Sequence, residues 1–204
     1  MNHSGCVSNS LARLAFGALL ILAWPSALLA DARSDGERGI AEYRQGNLVQ
    51  AMEWLQKSAT AGYAPAQTTL AFILDAAEDD EAAFRWFQAA ADSNDPAGLF
   101  GLGSMYAKGE GTAKDPARAG ELTRQAAELG HVQAMRVYAN ALENGQLGLA
   151  HNPGEAIAWF LKAANQGDVN SMHRLKQAYS LGQLGLQADA KRAAEWDAKI
   201  KQSN

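Results

Sequence analysis

Apolar residues along the chain recur at helical spacing, and the pattern comes in copies. Four segments begin with a small residue and place bulky ones four and eight positions later: Ala66, Leu70 and Leu74; Gly98, Leu102 and Tyr106; Ala134, Tyr138 and Leu142; Ser171, Leu175 and Tyr179. A four-residue step taken twice stays on one face of a helix, and a small residue on that face lets a neighbouring helix come close. Between these segments lie others built on a second column, Trp54, Trp86, Leu122, Trp159 and Trp196, with successive spacings of 32, 36, 37 and 37. Each member of that column has alanine three residues before it, at Ala51, Ala83, Ala119, Ala156 and Ala193. Repetition at such a period predicts stacked helix pairs rather than one compact core.

Starts and stops are written into the same register. Asn47, Asp79, Asp115, Asn152 and Asp189 stand seven residues before the aromatic column, and in two copies Pro116 or Pro153 follows. Asp and Asn accept from the free amides of a first helical turn, and proline suits the first helical position, so helix B of each pair begins there. It ends at Gly62, Asn94, Gly130 or Gly167, residues that tolerate the left-handed conformation closing a helix. Helix A follows. The stretch "MYAKGEGTAKDPARA" has the glycines and lysine of a phosphate-binding loop, but its glycines also belong to the repeat. Gly109 aligns with Gly145 and Gly182, and Gly111 with Gly148 and Gly185, whereas Lys108 aligns with Asn144 and Leu181. No strand precedes this loop, so it reads as the A–B connection.

The first thirty residues stand outside this register. Arg13 precedes the apolar run "LAFGALLILAWPSALLA", and Ala30-Asp31-Ala32 supplies small residues at the positions signal peptidase reads. A signal peptide over 1–32 is expected, with cleavage after Ala32 or after Ala30; retention as a membrane anchor is the rival reading. The organisation expected is therefore 1–32 signal and 33–204 repeats, with a periplasmic or secreted product and no membrane span after cleavage. Cys6 would leave with the signal, and the mature chain would carry no thiol, disulfide or thiolate metal site. A hydrophobic fraction of 48% with 20% charged residues is that of a folded protein, and a net charge of −4 without a basic block argues against nucleic acid.

"WFQAAADSNDPAGLFGLGSMYAKGEGTAKDPARA" and "WFLKAANQGDVNSMHRLKQAYSLGQLGLQADAKRA" resemble Sel-one-like repeats (SLR), relatives of the tetratricopeptide repeat (TPR) with a longer A–B loop. The resemblance runs from about Arg38 to Lys201 in five pairs; the first, with a tight turn at Gly46-Asn47, is nearer to a tetratricopeptide unit. It implies an all-α, right-handed α-solenoid of about five helix-turn-helix repeats whose A helices line a concave groove for other proteins. The last helix A departs from the pattern: Lys176 stands where other copies have Ala71, Gly103 and Ala139, with Arg174 nearby. A polar capping repeat would account for it.

Chemistry is sparse. His131 and His151 lack a ligand partner at helical spacing, and no HExxH, GxSxG or SxxK occurs, so no metal, cofactor or catalytic residue is expected. The acidic stretch 75–83 reads as the start of a helix B, where carboxylates favour the positive end of the dipole. Trp54, Trp86, Trp159 and Trp196 share a packing column and need no ligand. Opposite the bulky stripe of helix A fall Thr68, Phe100, Arg136 and His173, then Phe72, Ser104, Asn140 and Gln177. These are the candidate groove residues for a protein or peptide partner in a non-catalytic scaffold. An envelope glycan-binding protein or hydrolase is the alternative.

Overall fold

A computed structural model describes the backbone of residues 24–203 and the side chains from Asp31 onward. Ten α-helices occur among them: α1 (Trp24–Arg44), α2 (Leu48–Thr60), α3 (Ala64–Ala76), α4 (Asp80–Asp92), α5 (Pro96–Lys108), α6 (Pro116–Glu128), α7 (Val132–Asn144), α8 (Pro153–Asn165), α9 (Val169–Leu181) and α10 (Ala190–Gln202). Odd-numbered helices are the A helices and even-numbered ones the B helices of five pairs. Every helix after the first is thirteen residues long, as a strict repeat requires. The fold is an all-α repeat solenoid. Two compact units divide it: residues up to Tyr63, with α1 and α2, and residues from Ala64, with α3 to α10.

In the first unit, α1 begins well upstream of Arg38, where the resemblance began. Residues 1–23 of the expected signal peptide lie outside the described residues. Around the expected cleavage positions, Ala32 is 2% exposed, and its carbonyl accepts a 2.5 Å hydrogen bond from the hydroxyl of Ser58, which is fully buried. Asp35 pairs with Lys57 at 2.8 Å. Gly39 sits against Leu55: a Cβ there would fall 2.8 Å from Leu55 Cγ. The Arg38 guanidinium covers the Trp54 ring at 4.1 Å.

In the second unit, α4, α6 and α8 each pack on their own A helix and on the A helix of the following pair, and α10 packs on α9. The columns read from sequence form the core. Ala66, Gly98, Ala134 and Ser171 are buried, as are Leu70, Leu102, Tyr138 and Leu175. The small column works as close packing demands: a Cβ on Gly98 would fall 2.5 Å from Ala90 Cβ of α4. The seam between pairs also uses the residue just after the aromatic column. Phe87, Thr123 and Phe160 are at most 2% exposed, and Phe87 lies on α5 where Gly101 has no side chain to displace it.

The last pair changes both members of another contact, the one that Thr123 makes with Gly103 inside its own pair. Asp197 replaces the buried residue after the column and Lys176 replaces the small one, and Lys176 Nζ meets Asp197 Oδ1 at 2.5 Å. Lys201 also reaches Asp197, at 2.8 Å. The two lysines hold the Asp197 carboxyl down at about 2. The irregular helix α9 therefore packs on α10 like the other pairs, with an ion pair at the half-exposed edge. Arg174 fastens it from the other side. Its guanidinium takes both oxygens of Glu143, on α7, and donates to Gln183 at 3.0 Å. Both charged side chains are under 20% exposed. Arg174→Ala should cost about 1–3 kcal/mol, between the surface and buried cases, measured as a shift in urea midpoint; Arg124→Ala, within one helix, should cost less.

Four of the five expected B-helix caps bond as anticipated: Asp79, Asp115, Asn152 and Asp189 accept from the amide three residues on. Asn47 does not, because its amide donates instead to Glu42 Oε2 across the tight α1–α2 turn. The A–B loop holds no phosphate-binding geometry. Gly109 closes α5 at φ 85°, Gly111 turns back at φ 63° so that the loop lies on the Asp80 carbonyl, and Lys108 pairs with Glu110 at 2.9 Å.

Candidate functional site

The faces of α3, α5, α7 and α9 opposite the bulky stripe carry the candidate residues, some engaged by neighbours and some not. Thr68 differs from expectation. It is 5% exposed, and its hydroxyl donates to Asp95 Oδ1 at 2.7 Å, so it belongs to the α3–α5 contact. Phe72 is 41% exposed and meets the Phe87 ring edge-on, with centroids 4.8 Å apart. With Phe87, Phe100, Ser104, Met105 and Asp75 it lines an apolar pocket of about 60 Å³. Gly101 forms one wall, and its missing side chain is what admits the Phe87 ring.

Farther along, Arg136, Asn140, Asn170, His173 and Gln177 line an open polar cleft of about 440 Å³ between α7 and α9. Arg136 Nε stands 3.4 Å from Asp168 Oδ1, which offsets its charge without hydrogen-bond geometry; the buried Nε has no hydrogen-bond partner. Asp168 is occupied on its other oxygen by the amide and hydroxyl of Ser171. The side chains of Asn140, His173 and Gln177 make no hydrogen bond within the described residues.

In sequence, His131 stands out only as lacking a ligand partner at helical spacing. His131 is the N-cap of α7: its Nδ1 accepts from the Ala134 amide at 3.2 Å, and its ring lies 4.9 Å from that of Phe100. The signal lay in its column, since Asp95 and Asp168 occupy the same place and cap α5 and α9. Burial lowers the His131 pKa, with Asp95 opposing. The folded protein then binds this proton less readily than the unfolded chain, so stability is full above the unfolded value of about 6.5 and falls as pH drops below it. Urea midpoints at pH 7.5 and 5 should show that fall. His131→Asn keeps a capping side chain without a proton to gain and should flatten its share.

Three of the four column tryptophans, Trp54, Trp159 and Trp196, are covered by cations. Lys162 lies 3.8 Å over Trp159 and Lys199 4.1 Å over Trp196, and both indoles are 8% exposed. Among the described residues no three of His, Cys, Asp or Glu gather as a metal site, and no helix is long and apolar enough to cross a membrane.

This arrangement of helix pairs is matched by the Sel1 repeat profile over residues 27–63, 74–95, 96–131, 132–168 and 170–196. The chain belongs to the Sel1 repeat family. The first matched Sel1 repeat starts at residue 27, inside the expected signal peptide and in keeping with the early start of α1. A Sel1 repeat protein from Oxalobacter formigenes is similar at 26% identity and TM-score 0.75, covering 84% of this chain and 71% of that one. A protective antigen of uropathogenic Escherichia coli with an SLR fold is 32% identical at TM-score 0.75, covering 90% of this chain and 41% of that one. A Sel1 repeat protein from Klebsiella pneumoniae shares the fold at 17% identity and TM-score 0.59, with 89% and 90% covered. No match was found among the curated proteins. Sel1 repeats are commonly scaffolds for protein interaction.

Proposed function

We propose that the chain is an exported scaffold that holds a protein or peptide partner on the face formed by its A helices and performs no chemistry. The observation that carries this reading is the contrast between the two kinds of surface. The B-helix seam is sealed, with Phe87 and Phe160 each 1% exposed. The A face leaves Phe72 open beside a pocket and the amides of Asn140 and Gln177 without partners. Open aromatic area with adaptable polar groups nearby suits a binding surface.

The test uses tagged full-length protein expressed in its native cell, with chemical crosslinking before purification. Phe72→Ser combined with Gln177→Ala gives up the edge contact with Phe87, so the thermal midpoint should fall by a few degrees with the fold retained, while a discrete crosslinked partner disappears. A partner retained at wild-type level by that variant would remove the A face from consideration.

Export is part of the proposal, and the packing of α1 favours one cleavage position. Cutting after Ala32 would remove the carbonyl that satisfies the buried Ser58 hydroxyl, whereas cutting after Ala30 keeps it. The mature protein should therefore begin at Asp31 on N-terminal sequencing. A start at Arg33 would contradict the argument from Ser58.

A further inference from the structure

Resting on the A-face reading, we infer that the partner is presented as an extended segment carrying an apolar residue next to a basic one. The apolar residue enters the pocket between Phe72 and Phe100, and the basic one meets Asp75. That carboxylate lines the pocket, and no ion pair occupies it within the described residues. Glu78, Asp79, Asp80 and Glu81 follow in sequence, with the pairing of Glu81 to Arg85 long, at 3.9 Å; Lys108 is close enough to feel Asp75 and Asp80, but its ammonium is bound to Glu110 at 2.9 Å. Local charge thus complements a lysine or arginine and repels an acidic neighbour.

The backbone of the segment is assigned to the amides. Phe72, Ser104, Asn140 and Gln177 hold one register on successive A helices, so a segment leaving the pocket past Ser104 meets Asn140 and then Gln177. A carboxamide offers a donor and an acceptor together, the complement of a peptide group, and only a chain not already bonded in helix or sheet has such groups free. The cationic side chain in the same cleft, Arg136, is offset by Asp168. The cleft therefore favours neutral backbone over an anionic ligand.

A positional-scanning array of octapeptides, acetylated and amidated so that the ends carry no charge, tests this with the full mature chain. Binding should select Leu, Phe or Met beside Lys or Arg, at least about fivefold over the same residues beside Asp or Glu. Asp75→Asn should abolish the preference for the basic residue while keeping the apolar one. Asn140→Ala with Gln177→Ala should weaken all peptides alike, by about tenfold for two lost hydrogen bonds. Selection of acidic peptides, or selection unchanged by these variants, overturns the inference. A blank array from a protein whose A face does hold a partner in the cell also overturns it, because that partner then presents a folded surface; the A-face reading would stand.

Discussion

Phe87→Ala is expected to destabilise the protein by about 3–5 kcal/mol, the cost of emptying a fully buried aromatic site. Phe87 is 1% exposed, lies on α5 where Gly101 leaves room for its ring, and receives the edge of Phe72. Gly101 has no side chain with which to fill the space. For a chain of this length the loss corresponds to a fall in thermal midpoint of roughly 6–20 °C. The same column position in the last pair should respond differently. Asp197→Ala removes a part-exposed carboxylate paired with Lys176 and Lys201 rather than a buried aromatic, so the midpoint should fall by much less. Equal effects at the two positions would mean that this column is not the seam between pairs.

The second large effect is expected at Gly111. Alanine there meets two penalties at once: a φ of 63°, which costs an L-residue about 1–2 kcal/mol, and a collision of its Cβ with the Asp80 carbonyl, which adds about 1–3 kcal/mol of overpacking. The obstacle is backbone, at the start of α4, and cannot rotate away. Gly185 is the internal control. It occupies the same loop position with φ 77°, yet nothing lies within 4 Å of where its Cβ would be. Gly185→Ala should therefore show the conformational share alone, and the difference between the two variants, read from urea midpoints, isolates the contact between the loop and α4.

These contrasts mark what sequence alone could and could not disclose. Columns that repeat at every pair, such as Ala83, Ala119 and Ala156 or the loop glycines, announce their role because the same physical demand recurs several times over. Single solutions do not. Thr68 shares a column with Phe100 and Arg136, but its hydroxyl finds Asp95, 27 residues on, and is drawn into the helix contact. Lys176 looked like a fault in packing because its partner, Asp197, is 21 residues away. The link from Arg174 to Glu143 spans 31 residues and leaves no periodic trace. His131 was hidden by chemistry, since imidazole is an unusual cap; its column held the clue, and its residue type concealed it.

The candidate face was legible as a geometric expectation, because residues opposite a buried stripe must look outward. Which of them are spent on neighbours was not legible. Phe100 lies against His131 and Arg136 beside Asp168, whereas Phe72, Asn140 and Gln177 keep exposed or unpaired groups. Side chains already engaged are poor probes, so the face is best interrogated at positions that are not.

Site-specific photocrosslinking in the native cell is the most direct test of the claim that this solenoid works through its A helices. A photoreactive residue would replace Phe72 or Gln177 on that face, or Arg124 on α6, where its salt bridges to Glu121 and Glu128 join it only to its own helix. A discrete adduct of the same mass from Phe72 and Gln177, with none from Arg124, is the result predicted. Adducts from Arg124 alone would place the working surface on the B helices and contradict the account.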